Sequence, residues 1–410
     1  MNGKYNVIDL FAGCGGMTEG FIKTSKFTEV AAVEWLKPQV DTLRNRLTTK
    51  WGIEDANNRV IHFDIQKNVQ LFATFSGDTE YQPHCGLDTL VKQSGGIDLI
   101  IGGPPCQAYS LAGRIRDEYG MQEDYRNYLF EHYLTIVEKY KPKAFVFENV
   151  PGLLSANVKG QNILELIRDG FSKIGYEIVA DVRKNALIDV SEYGIPQNRK
   201  RVILIGINKQ QYGNGQDKLL DFYREILPKH KCKKKSVKQS IGDLPFIKPI
   251  FDAESHKKRK AYINPECDIT WHIARYHNTR DMETFRILAN DLQTGNPEFL
   301  DTKKLCQLYK ERVGAKSESS IHRYHVLAPD QPSTTIVAHL YKDGLRYIHY
   351  DPKQSRTITV REAARLQSFD DDFDFIGSQT HAYQMIGNAV PPKFAECLAL
   401  AVYEFLEKYK

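Results

Sequence analysis

The sequence predicts an α/β fold, an open and mostly parallel sheet wound by helices, followed by a second, smaller domain. Three observations carry this expectation. Over the first 210 residues, short apolar runs alternate with longer amphipathic segments, the rhythm of βαβ units. The apolar runs end in glycines or polar side chains, as strands do when their carboxyl ends face a ligand. Beyond Lys209 the rhythm stops, and two basic runs, KCKKKSVK at 231–238 and HKKRK at 256–260, bracket a stretch without clear alternation.

In chain order the expected strands lie near residues 5–11, 29–34, 59–63, 98–101, 144–147, 176–182 and 201–207, with helices between them. Residues 74–94, rich in Gly, Asp and Pro, read as a surface insertion. A helix is expected over 279–292, a loop over 317–335, an amphipathic segment over 359–369, and a final helix over 393–408. The expected division is 1–209, 210–376 and a C-terminal segment 377–410. No repeat is visible.

Composition sets outer limits. With 41% hydrophobic and 26% charged residues, the 410-residue chain is of ordinary globular type and long enough for two or three domains. No apolar run approaches the roughly 20 residues of a membrane span, and the N-terminus enters a strand without a cleavable signal, so a cytoplasmic protein is expected. The seven cysteines are scattered without a CxxC pair, which implies neither a disulfide framework nor a zinc ribbon and leaves reduced thiols. A formal charge of +5 permits a nucleic-acid partner without establishing one.

The most informative stretch is IDLIIGGPPCQAYS at 97–110. A buried strand breaks at two glycines and two prolines and delivers Cys106 into the loop beyond. Alone, this reads as a turn carrying an inert thiol. Other strand ends change the balance. At the first, IDLFAGCGG, Gly13, Gly15 and Gly16 let the backbone turn tightly and approach a ligand. A dinucleotide fingerprint requires a glycine or alanine at position 18, and Thr18 stands there, which disfavours a pyrophosphate cofactor and a nicotinamide dehydrogenase. Glu34 ends the second strand, where an acid typically accepts ribose hydroxyls; Trp35 can cover an adenine face, and Asp64 can accept from an exocyclic amine. Each alone is an ordinary solvated strand end. Together they describe an adenosine site without phosphates.

The strand AFVFENV ends in Glu148 and Asn149 and brings a carboxyl group alongside Cys106, because neighbouring strands lie about 5 Å apart. A thiol beside an acid suits covalent catalysis assisted by a proton donor. A capping or salt-bridging role for Glu148 is the alternative. In QNRKR, Arg199 and Arg201 alternate and so point the same way, toward a common acceptor or a phosphate; surface charge is the alternative.

At this point the chain resembles the DNA (cytosine-5) methyltransferases of restriction and modification systems. The resemblance rests on DLFAGCGG, VEW at 33–35, GGPPCQAYS, DYRNYLF at 124–130, ENV, QNRKR, REAARLQSF and GNAVPP, in the family's order. One departure is Asp370, where the family usually has proline. The resemblance implies a Rossmann-like, S-adenosylmethionine-dependent methyltransferase sheet with a target-recognition domain at about 210–376.

It also implies roles. Cys106 adds to carbon 6 of cytosine, Glu148 supports protonation at ring nitrogen 3, Asn149 holds that edge, and Arg201 with Arg199 contacts the base carbonyl and the phosphodiester. S-adenosylmethionine lies against Phe11, Gly13, Gly15, Glu34, Trp35, Asp64 and Ile65, with Pro105, Leu129, Asn388 and Val390 closing the pocket. The partner implied is double-stranded DNA, from which the target base is flipped at a cost of roughly a few kcal/mol. A cognate restriction endonuclease would be the genetic partner, in a prokaryotic cytoplasm. Residues 107–126 are long enough for a lid, or are an insertion without fixed structure. The lysine runs suit phosphate contacts or a solvated face. Cys267, His272 and His277 are evenly spaced, but no further ligand stands at zinc spacing, so no metal is expected. Two rivals share the site: an RNA cytosine methyltransferase, which the long basic middle region disfavours, and an inactive DNA-binding relative, which intact Cys106, Glu148 and Arg201 disfavour.

Overall fold

The structure, a computed structural model, describes residues 3–105, 129–158, 160–294, 296–313 and 324–410. Cys106 and residues 107–126, for which a lid or an insertion is the expectation, lie outside the described residues. The chain forms two compact units: residues 1–194, 199–233 and 389–410 make the first, and 195–198 with 234–388 the second.

Unit 1 is built on an eight-stranded sheet. Its strands are β1 (Tyr5–Leu10), β2 (Phe27–Glu34), β3 (Val60–His62), β4 (Leu99–Gly102), β5 (Ala144–Asn149), β6 (Tyr176–Ile178), β7 (Leu187–Asp189) and β8 (Lys200–Asn208). The order is β3-β2-β1-β4-β5-β8-β6, with β7 also paired to β8. β1, β2, β3, β4 and β5 run parallel. β4 is buried at every residue, as a central parallel strand covered on both faces must be. The expected strands therefore form, and the sheet is parallel in its larger part. The far edge differs: β8 pairs antiparallel with β5, β6 and β7. The run VILIGI is apolar in either direction, so its composition does not disclose which way it lies.

The longer helices described in unit 1 are α1 (Gly16–Lys23), α2 (Lys37–Thr49), α3 (Leu87–Ser94), α4 (Leu129–Tyr140), α5 (Ile163–Lys173) and α9 (Pro392–Lys408). α3 corrects the reading of 74–94 as a surface insertion: Tyr81, Leu87 and Leu90 are buried, and the segment closes one side of the sheet. The helix buries only two apolar side chains, Leu87 and Leu90, too few to stand out from the Gly and Asp around them. α1 packs on α9, and contact is so close that a Cβ on Gly20 would stand 2.4 Å from Ala395 Cβ.

Unit 2 contains the ribbon β9 (Lys248–Pro249) and β10 (Tyr262–Ile263), and helices α6 (Thr279–Leu292), α7 (Val360–Leu366) and α8 (Gln379–Asn388). α6 starts where Asn278 accepts from the Asp281 N–H at 2.9 Å. α7 starts at a capping box in which Thr359 and Glu362 satisfy each other's backbone N–H groups. Glu362 then takes two bonds from Arg356, at 2.6 and 2.7 Å, entirely inside the unit. Burial raises the Glu362 carboxyl, but Arg356 prevails and holds it down at about 2. Arg361 is equally buried and donates to the carbonyl oxygens of Thr270, Asp370 and Phe373, so Asp370 serves through its backbone. Gln197, from QNRKR, donates to Leu366 O at 2.9 Å. His272 bonds Thr359 and Pro245 O, and His277 bonds Tyr262 and Thr357, so both rings hold the interior of the unit together. Residues 231–235 and 257–260 are exposed.

Candidate active site

The carboxyl ends of β3, β2, β1, β4 and β5 lie side by side, and most sequence-predicted site residues stand there. After β1 the backbone turns through left-handed conformations at Phe11 (φ 59°), Gly13 (φ 57°) and Gly15 (φ 90°). The loop is anchored from the neighbouring strand. Glu34, last in β2, accepts from Gly13 N–H at 2.9 Å and from Leu36 N–H at 2.8 Å. Burial raises its carboxyl above the usual range, while the N–H groups of Leu36, Gly13 and Trp35 pull it back.

Two glycines answer to close approach. A Cβ on Gly15 would stand 2.4 Å from Leu43 Cδ1, and one on Gly16 only 2.3 Å from the carbonyl oxygen of Val390. The GNAVPP block thus meets the N-terminal glycine loop through Val390, which is 8% exposed. Around Gly13 the space is open. Trp35 is 47% exposed beside Glu34. Asp64, just past β3, accepts from Gln66 N–H at 2.9 Å, and Ile65 next to it is buried. Carboxylate oxygens retain lone pairs after one N–H each, so Glu34 and Asp64 can also accept from hydroxyl or amine groups. With an exposed indole beside Glu34, these groups fit an adenosine head.

β4 and β5 supply the second half. Gly102 pairs with Phe147, so Gly103 stands opposite Glu148. A Cβ on Gly103 would meet Glu148 Oε2 at 2.7 Å: the carboxyl lies directly over this glycine. Asn149, 3% exposed, donates to Pro104 O at 3.4 Å and accepts from Val150 N–H at 2.8 Å. Arg201 closes the group from β8, its Nε 2.8 Å from Glu148 Oε1, with both side chains largely buried. Arg199, 2% exposed, donates to Ala389 O at 3.1 Å. Pro105 is exposed at the edge of the described segment, and Leu129 is buried at the start of α4. Asn388 is exposed at the end of α8, in unit 2. Glu148, Asn149 and Arg201 are therefore brought together around Gly103 and Pro104, three residues and two residues ahead of Cys106.

Sequence reasoning passed over the support beneath the glycine loop. Thr18, which argued against a dinucleotide, donates to Asp9 at 2.6 Å. Burial pushes Asp9 up to about 7. Glu19 on α1 receives Arg46 of α2 at 2.7 Å and the Trp51 indole N–H at 2.9 Å, all mostly buried. An acid inside an otherwise apolar first helix was the available signal.

Comparison with known proteins places the fold first. A prophage-encoded E. coli protein assigned as a DNA modification methyltransferase superposes with a TM-score of 0.64 over 98% of this chain and all of its own, at 24% identity. The architecture is that of the α/β methyltransferases. The sequence profile of the C-5 cytosine-specific DNA methylases matches residues 5–404, and the chain belongs to that family. A type II methyltransferase of Bacillus paralicheniformis, M.Bpa9945I, is 32% identical over 98% of this chain and 99% of its own. The type II methyltransferase M.DdeI of Desulfomicrobium norvegicum is 30% identical over 98% and 89%. Among the described residues no helix is long and apolar enough to cross a membrane.

Proposed function

We propose that the protein transfers a methyl group from S-adenosylmethionine to carbon 5 of a cytosine flipped out of a specific duplex DNA sequence, through a covalent adduct with Cys106. The observation that carries the reading is the Glu148 carboxyl, ion-paired with Arg201 at 2.8 Å and seated over Gly103, three residues ahead of Cys106.

Cytosine carbon 5 is a weak nucleophile. Addition of the Cys106 thiolate to carbon 6 pushes an electron pair into the ring, and Glu148 delivers a proton at nitrogen 3 so that no full negative charge accumulates. Arg201 fixes that carboxyl and contacts the base carbonyl; Asn149 holds the Pro104 backbone on the same edge, and Arg199 supports the phosphodiester contact. S-adenosylmethionine, when bound, supplies an electrophilic methyl group. Phe11, Gly13 and Gly15 would shape the loop beneath it, Glu34 would accept from its ribose, Trp35 would cover its adenine, Asp64 and Ile65 would lie at the amine, and Pro105, Leu129 and Val390 would enclose it. After transfer, water takes the carbon 5 proton, whose bonding pair restores the 5,6 double bond and expels the Cys106 thiolate, and nitrogen 3 returns its proton to Glu148, so both groups are regenerated.

Unit 2 serves as target-recognition domain, its exposed lysines neutralising phosphates. The enzyme acts in the cytoplasm and protects DNA from a cognate restriction endonuclease. Bisulfite sequencing of DNA from cells expressing the chain tests the reading: one methylated cytosine in a fixed sequence context is expected, and none with Cys106→Ala. Methyl transfer to tRNA but not to DNA would overturn it.

A further inference from the structure

Two cysteines that the methyl transfer does not use stand against each other in unit 1. Cys232 forms a parallel bridge with Tyr193, its N–H donating to Glu192 O at 2.8 Å. Its Cβ lies 3.3 Å from where a Cβ on Gly194 would stand, so glycine makes room for it. The Tyr193 ring packs edge-on against Phe394 at 5.2 Å. Phe394 lies three residues ahead of Cys397 on α9, about one helical turn, so the bridge is carried to the face that bears Cys397. The Cys232 thiol donates to His230 O at 3.5 Å, and Lys393, one turn before Cys397 on α9, bears electrostatically on both sulfurs. Cys232 is exposed, whereas Cys397 is 4% exposed. Burial pushes the Cys397 thiol up to about 11, with Lys393 pulling the other way.

We propose that Cys232 and Cys397 form a reversible intramolecular disulfide, a redox-responsive modification site in unit 1. The exposed member reacts first. With a low-molecular-weight disulfide as oxidant, the Cys232 thiolate attacks one sulfur and expels one thiolate, leaving a mixed disulfide. Cys397, losing its proton to solvent, then attacks the Cys232 sulfur and expels the second. Two protein thiols are oxidised, and one small disulfide is reduced to two thiols. Position gives the bond its consequence. Cys232 is one residue before Lys233, after which the chain enters unit 2, and Cys397 lies in the segment 389–410 that returns from it. The bond therefore ties the two passages of the chain to each other inside unit 1.

The test equilibrates the full-length protein with oxidised glutathione, alkylates free thiols, and maps it with a glutamyl endopeptidase by mass spectrometry. A peptide joining Cys232 to Cys397 is expected, lost on addition of dithiothreitol and reduced to background in Cys232→Ser and Cys397→Ser. Cys397→Ser should instead retain glutathione on Cys232, and a cooperative thermal transition shows that the variant is folded. The linked form should melt at a higher temperature than the reduced form. A wild-type protein that ends with glutathione on Cys232 and no link to Cys397, or with links to other cysteines alone, overturns the proposal.

Discussion

Arg201 Nε and Glu148 Oε1 lie 2.8 Å apart on adjoining antiparallel strands, although the two residues come from opposite ends of a long excursion of the chain. The pair fixes the direction of the carboxyl over Gly103. Glu148→Gln removes the proton donor and is expected to lower kcat by about 10²- to 10⁴-fold, with S-adenosylmethionine affinity unchanged. Arg201→Ala should lower it as well. Single-turnover kinetics on both variants and on the double variant decide whether they act as one: non-additive losses are expected, and losses that multiply would separate them.

Glu34 bridges the glycine loop and the start of α2 through two backbone N–H groups. Glu34→Gln keeps the size but turns one acceptor into a donor, so the Gly13 or Leu36 N–H loses its partner. We expect S-adenosylmethionine to bind about ten-fold or more weakly, some 1.4 kcal/mol or more. Calorimetric titration measures this, with DNA affinity as the control. An unchanged dissociation constant would remove Glu34 from the cofactor site.

How far these contacts were legible depends on distance along the chain. The strand ends announced themselves, because GGPPC, ENV and DLFAGCGG each place polar or flexible residues after an apolar run. The boundaries of α6 were legible for the same local reason, a capping Asn278 followed by an amphipathic period. Long-range partners left no such trace. In QNRKR the alternation of Arg199 and Arg201 reads as a shared acceptor or a surface charge, yet Gln197 and Arg199 are buried, one bonded to Leu366 O within unit 2 and the other to Ala389 O within unit 1. Burial of an arginine is tolerated only where acceptors converge on it, and for Arg199 the acceptor Ala389 O arrives from far along the chain. Likewise the antiparallel placement of β8 follows from its neighbours and not from its own composition.

Gly16 is the point where the N-terminal loop meets the C-terminal block. A methyl group there would sit 2.3 Å from Val390 O, a backbone atom that has no rotamer to escape into. Gly16→Ala should therefore destabilise the protein by about 1–3 kcal/mol through overpacking. Thermal unfolding checks it against Gly3→Ala, where the added methyl meets nothing within 4 Å. Equal melting temperatures for the two variants would show that the contact yields freely.

Glu29 is the outlier of the sheet. It is 2% exposed on β2, and burial pushes its carboxyl up to about 8 despite the opposing pull of Arg59. The unfolded chain ionises near 4.3. Between those values the unfolded state gives up a proton that the folded state keeps, so the group's contribution to stability is undiminished below about pH 4, falls as pH rises, and levels off above about 8. Asp9 on β1, up at about 7, adds a loss of the same sign over the lower part of that window. Glu29→Gln removes one of the two titrations while keeping the shape. Its stability relative to the wild type should improve steadily between pH 5 and pH 8, by roughly 3–4 kcal/mol in total. Urea unfolding at the two pH values measures the change. A difference between variant and wild type that does not move with pH would mean that the Glu29 carboxyl ionises in the folded protein much as it does in the unfolded one.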